Sequence, residues 1–231
     1  MMHSISSFFY DVNDRVSKSV HVRIRCRIEK GSIKLRNLLA GLMMLGAALL
    51  AGCQREEPWR LTAVDNQMPS LDFTLTRAKD GKTVTTKDYR GQIVVLEFGY
   101  TSCPDICPTT LANLTSALGK LGEKAKDVRV LFVTVDPNRD TLDSLNRYGA
   151  AFSPQIDGLR GTDIQLKDLA HRYRVAYSVS PSKDPKEYEV THSSIIFIFD
   201  RTGRIKLLST NPNNADDLAH DLGQLAREPG G

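Results

Sequence analysis

Two cysteines stand four positions apart in the stretch Thr101-Ser102-Cys103-Pro104-Asp105-Ile106-Cys107-Pro108. Thiols at this spacing have two chemical uses. They close a disulfide where the geometry allows, or they offer two thiolates to one soft metal ion, Cu(I) or Zn. The stretch follows the apolar run Ile93–Phe98 and precedes Thr109–Leu121, in which Leu111, Leu114, Leu118 and Leu121 form one helical stripe. The thiols therefore sit where a buried strand turns into a helix. Pro108 suits the first helical position, where a missing N–H costs nothing. That places Cys107 at the N-cap and Cys103 in the loop before it. Free N–H groups and partial positive charge at a helix start favour thiolate over thiol. Thiolate both attacks disulfides and binds metals, so redox and metal chemistry are both open at this point.

Two sulfurs alone make an incomplete metal site. Beyond Cys53 the chain has three histidines, His171, His192 and His220. His171 and His220 fall on predicted helices beside charged residues, as surface histidines do. His192 stands directly before the apolar strand Ser193–Phe199. Strand ends collect site residues in α/β folds, provided the end faces the first helix. His192 is thus either a third ligand or a loop histidine bonded to backbone. Asp105 reads as a solvated loop residue. Asp136 and Asp140 follow the second apolar strand. They either shape the site or a docking surface, or serve as cap and turn for the helix from Thr141. A closed structural zinc site takes four ligands, and only three soft ones are present. A peroxiredoxin-type site would carry Thr three residues before its reactive cysteine, and before Cys107 that place holds Pro104.

The elements that must position these residues follow from periodicity. Leu71–Leu75 alternates as a half-buried strand. Asp80-Gly81 signals a hairpin, with Thr83–Thr85 returning. Ile93–Phe98 reads as a central strand covered on both faces, and Val128–Val135 as a second. Helices are expected from Thr109 to Leu121 and from Thr141 to Phe152. A third is capped by Asp163 and carries Ile164, Leu166, Leu169, Ala170 and Tyr173; a fourth runs from Asn214 to Ala226. Pro181–Glu189 is a charged loop. Ser193–Phe199 turns through Asp200–Gly203 into Ile205–Ser209. Strands separated by helices imply parallel pairing, and the late hairpin adds an antiparallel edge. The predicted class is α/β, a thioredoxin-like fold: a central mixed sheet flanked by helices, with an N-terminal hairpin.

Leu38–Ala51 is a fourteen-residue apolar run preceded by Lys34 and Arg36 and followed by Gly52-Cys53. It is short for a membrane span, which takes roughly 20 residues, and right for a signal-peptide core. Leu50-Ala51-Gly52-Cys53 looks like the lipobox of bacterial lipoproteins, in which the cysteine is lipidated and becomes the new N-terminus. The expected division is therefore 1–53 signal peptide with Cys53 lipidated, 54–68 tether, and 69–228 folded domain. This places the domain in a bacterial cell envelope, on the extracytoplasmic side. The basic segment 1–33, with Cys26, is long for a signal n-region. Residues 1–53 hold 8 of the 31 Lys and Arg and 3 of the 27 Asp and Glu. The remainder is close to neutral, 23 basic against 24 acidic. That balance excludes a nucleic-acid binder by charge. With two cysteines after Cys53, the domain is no disulfide scaffold either.

Cys103-Pro-Asp-Ile-Cys107-Pro after Phe98-Gly99-Tyr100-Thr101-Ser102 resembles the Sco (SenC/PrrC) family of copper-binding proteins. So do Val133-Thr134-Val135-Asp136-Pro137 with Arg139-Asp140, and Thr191-His192-Ser193. The similarity runs from about Leu71 to Thr210, with the motifs in the family's order. It implies a thioredoxin-like fold and copper, Cu(I) or Cu(II), bound by Cys103, Cys107 and His192. It further implies delivery of that copper to the copper A centre of cytochrome c oxidase subunit II, or to another copper acceptor, with thiol reductants keeping the pair reduced. The second reading for this family is a thiol-disulfide reductase in which Cys103 and Cys107 cycle as a redox pair. Many members are held by a transmembrane helix, whereas this chain carries a lipidation signal.

Overall fold

A computed structural model describes residues 57–65, 67–180 and 188–228. The predicted signal core, Cys26 and Cys53 lie outside the described residues, as do 54–56 of the tether and 181–187 of the charged loop. Among the described residues no helix is long and apolar enough to cross a membrane.

The core is a mixed sheet. Its centre is β4, Ile93–Gly99, whose seven residues are all buried. A run without alternation suits a strand covered on both faces. On one side β4 pairs in parallel with β5, Val128–Thr134, from Ile93 opposite Val128 to Gly99 opposite Thr134. β5 pairs in parallel with β6, Ile156–Arg160. The hairpin of β2, Thr74–Arg77, and β3, Thr83–Thr85, closes that edge through an antiparallel β2–β6 contact. On the other side lie β9, Ile196–Phe199, and β10, Ile205–Ser209, both antiparallel to their neighbours. The order across the sheet ends with β1, Thr62–Ala63, on β10. Helix α1, Ile106–Leu121, packs with α4, Ala215–Leu225, while α2, Leu142–Phe152, lies against β6. This is the thioredoxin-like plan expected, N-terminal hairpin included.

Several local expectations change. Part of the predicted tether is folded: Thr62–Ala63 form β1. Just before it, the backbone N–H groups of Arg60 and Leu61 donate to the buried carboxylate of Asp221 at 3.0 and 2.7 Å. The strand predicted at Leu71–Leu75 begins only at Thr74; Leu71 and Phe73 are buried without joining the ladder. Thr162, not Asp163, caps α3, Asp163–Arg172, in a capping box with Gln165. Ile164 is 72% exposed, because Leu166, Leu169, Ala170 and Tyr173 share one stripe and Ile164 falls about half a turn away. β6 was masked in the sequence by Asp157-Gly158. The glycine packs closely there: a Cβ would meet the Leu145 Cβ at 3.0 Å, tighter than ordinary contact.

A separate two-stranded ribbon stands outside the main sheet. β7, Tyr177–Val179, pairs antiparallel with β8, Val190–His192, and Tyr177 lies opposite His192. His192 therefore ends its own short strand. Ser193–Ile195 intervene before β9, so the continuous strand predicted from Ser193 is broken.

Candidate metal centre

The thiol stretch connects β4 to α1. The helix starts earlier than Pro108 suggested, with Asp105 at the N-cap position and Cys107 as the second helical residue. Proline is tolerated throughout a first turn because those N–H groups have no intrahelical partner. Asp105 makes no side-chain cap. Instead the Cys107 N–H donates to the Cys103 sulfur at 3.4 Å. The helix start thus addresses Cys103, not Cys107 as the sequence implied. Cys103 keeps 9% exposure and Cys107 none, and both are free thiols. Burial pushes the Cys107 thiol well above its ordinary pKa, the reverse of the expected thiolate preference.

Cys107 presses on the end of the central strand. A Cβ on Gly99 would meet the Phe132 ring at 2.5 Å and the Cys107 sulfur at 2.9 Å. Only glycine leaves room for the sulfur here. Two residues back, on the same side of β4, is Glu97, 3% exposed. Among the described residues, one of its carboxylate oxygens has no hydrogen-bond partner, and the buried Tyr148 hydroxyl on α2 has none either. Desolvation first, and then the nearby Cys103, raise the Glu97 pKa well above the ordinary carboxyl value. Sequence reasoning passed over Glu97. The signal was available: one charged residue in an otherwise apolar central strand.

His192 reaches this pair from the ribbon. Its Nε2 lies 3.2 Å from the Cys107 sulfur, and its Nδ1 lies 3.1 Å from the Ser193 carbonyl. A carbonyl oxygen only accepts, so Nδ1 carries the proton and Nε2 turns its lone pair to the sulfurs. Burial lowers the His192 pKa, which keeps the ring neutral. The Cys103 sulfur, the Cys107 sulfur and a His192 ring nitrogen all lie within 4.8 Å of one another. Two soft sulfurs and a neutral imidazole suit a soft or borderline metal ion. Two carbonyl-fixed features, the tautomer and the ring orientation, are what such ligands need from their surroundings. His171 and His220 do not join the group; His220 bonds through Nδ1 to Asp221 at 2.7 Å.

Asp140 and Asp136 are buried, at 1% and 2% exposure, and neither caps the following helix. Thr141 does that, accepting from the Ser144 N–H. Asp140 ties the thiol stretch to β5: it accepts from the Thr101 N–H at 3.1 Å, the Thr101 hydroxyl at 2.5 Å and the Thr134 hydroxyl at 2.6 Å. Asp136 bonds Arg139 and the hydroxyl of Tyr188. Asp140 supports the thiol loop and Asp136 the residue just before β8, and neither belongs to the ligand group. Arg139, Tyr188 and Tyr100 were not read as site residues from the sequence; only a fold brings them to the ribbon.

Comparison with known proteins finds relatives in sequence and in fold. The sequence pattern of the SCO1/SenC family matches residues 63–227. The human mitochondrial SCO1 homolog is 33% identical over 175 residues, covering 71% of this chain and 58% of that protein. The chain spans about three-fifths of the length of such curated relatives. Bradyrhizobium japonicum ScoI, solved with copper bound, superposes with a TM-score of 0.60 at 35% identity, over 66% of this chain and 96% of that one. Arabidopsis thaliana ScoI, also solved with copper bound, gives 0.63 at 34% identity, over 68% and 98%.

Proposed function

The chain belongs to the SCO1/SenC family, and on that footing we propose that it binds copper and delivers it to an acceptor protein. Cys103, Cys107 and His192 are the ligands. The observation that carries this reading is the grouping of two free sulfurs and one ring nitrogen within 4.8 Å, drawn from two separate parts of the chain. Copper is cargo here, and three donors leave room for a ligand of the acceptor to enter before a ligand of the donor leaves. Loading displaces the thiol protons, which the positive charge of the ion favours even for buried Cys107. Oxidation of the pair to a disulfide removes both sulfurs as ligands, so thiol reductants keep the protein competent.

The acceptor in this reading is the copper A site of cytochrome c oxidase subunit II or another extracytoplasmic copper protein. The lipobox ending at Cys53 makes the chain a lipid-anchored protein of a bacterial cell envelope, with the folded domain on the extracytoplasmic side. The test is titration of the reduced protein with Cu(I) and Cu(II), alongside His192→Ala. One copper per chain, with Cu(II) affinity sharply reduced in the variant, is expected. Unchanged copper affinity in the variant would reject His192 as a ligand; a parent that cycles its dithiol and binds no copper would move the assignment to a thiol-disulfide reductase.

A further inference from the structure

The ribbon that carries His192 takes no part in the main sheet, so something else must set its place. Its second strand is gripped at alternate residues. At Tyr188, just before β8, the Arg139 guanidinium lies 4.0 Å from the ring centroid and donates to the Tyr188 carbonyl at 3.0 Å. The Tyr188 hydroxyl donates to Asp136, which also receives Arg139 Nε. At Val190 the carbonyl accepts from the Tyr100 hydroxyl at 3.0 Å. At His192 the imidazole meets the Tyr100 ring edge-on, with centroids 5.9 Å apart. The Arg139 guanidinium also lies 5.7 Å from the Tyr100 ring centroid, so one cluster spans all three positions.

Residues 188, 190 and 192 share one side of an extended chain, and a slip by a single residue would turn the imidazole to the opposite side. A two-stranded ribbon specifies its own register weakly. We propose that Asp136, Arg139, Tyr188 and Tyr100 are positioning residues that hold the register and rotation of β8, so that His192 Nε2 faces the two sulfurs. None of the four is a ligand. Each acts through His192, and the role rests on the copper reading above.

The test is a cycle of substitutions in the full chain, read by Cu(II) affinity against a competing chelator and by the imidazole-nitrogen splitting in the copper resonance spectrum. Arg139→Ala is expected to weaken Cu(II) binding by about 10- to 100-fold, the range seen when partners of metal ligands are removed, and to diminish the nitrogen splitting. Tyr188→Phe keeps the ring and the carbonyl contact and should lose only a few-fold. In a His192→Ala background, Arg139→Ala should change affinity by less than about twofold, since the residue through which it acts is gone. Equal weakening by Arg139→Ala with and without His192 would overturn the positioning role, as would an unaltered splitting. His192→Ala that itself leaves affinity and spectrum unchanged would remove the ligand set first, and this role with it. If Arg139→Ala fails to fold, Tyr188→Phe and Tyr100→Phe carry the same cycle.

Discussion

The thiols and the histidine of this site are held in different ways. Cys103 and Cys107 stand between β4 and α1, against the most deeply buried part of the sheet. There only the missing side chain of Gly99 leaves room for the Cys107 sulfur, and Asp140 fastens Thr101. His192 ends a three-residue strand of an outlying ribbon, kept in place by side-chain grips and a few backbone bonds. The thiol half is part of the structure that must form if the protein folds at all. The histidine half hangs on that structure through a few side-chain and backbone contacts. Substitutions near the thiols should therefore change stability, and substitutions near the ribbon should change ligand geometry at smaller cost to stability. On the copper-delivery reading proposed above, one permanent side and one adjustable side would serve both holding and release.

The hardest test of this contrast is Asp140→Ala. It removes the acceptor for the Thr101 N–H, the Thr101 hydroxyl and the Thr134 hydroxyl. At about 1 kcal/mol for each net hydrogen bond, the expected loss is about 3 kcal/mol in urea unfolding of the reduced apoprotein. Arg139→Ala, whose side chain is partly exposed, should cost less than this while weakening copper binding more. The reverse ranking would mean that the ribbon, not the thiol stretch, belongs to the stability core.

Glu97→Gln comes next. Glu97 is buried with one oxygen unpartnered, and its pKa is raised. The folded chain thus holds this proton to higher pH than the unfolded chain, which releases it near the ordinary 4.5. Folding carries no cost from Glu97 below that pH. The cost grows as pH rises above it, until the folded-state pKa is passed. Gln carries no such cost. The variant should match the parent near pH 4 and be more stable at pH 7.5, by about 1.4 kcal/mol for each pH unit between the unfolded pKa and the lower of the folded pKa and the measuring pH. Denaturation of the reduced apoprotein at both pH values measures it. A stability difference that does not grow with pH would remove Glu97 from the buried surroundings of the thiols.

The same contrast explains what could be read from the chain. The cysteine spacing, the nearly all-apolar run of β4 and the leucine stripe of α1 are local patterns, and each produced the element it implied. Their details shifted where sterics left a choice, as when Pro108 took the third helical position and not the first. The ribbon has no comparable pattern. Tyr177–Val179 and Val190–His192 are three residues each, too short for alternation to register. His192 drew attention through its place near an apolar strand and its family motif, yet its actual strand was invisible. Arg139 and Tyr188 meet across 49 positions, and no local period encodes that meeting. Asp136 and Asp140 looked like caps because aspartate before a helix usually is one; Thr141 stood closer and took the role.

The smallest effect, and the finest test of the two-sided site, is expected from Tyr100→Phe. Tyr100 leaves β4 on the thiol side, and its hydroxyl donates across to Val190 on the ribbon, so it bonds the halves directly, beside the Cys107–His192 contact. Its carbonyl accepts from the Cys103 N–H at 3.2 Å, a contact that Phe retains. The substitution deletes one neutral hydrogen bond and leaves the Val190 carbonyl without that donor, a loss of about 1 kcal/mol. If the ribbon hangs on the core through a few contacts, that loss should appear as local opening and not as global instability. Amide exchange at Val190 and His192 should accelerate by about fivefold, while amides of Val94–Phe98 should keep their rates under conditions where they exchange by local fluctuation. Acceleration shared equally by both sets would show that ribbon and core open as one unit, and the division between a permanent and an adjustable side would then fail.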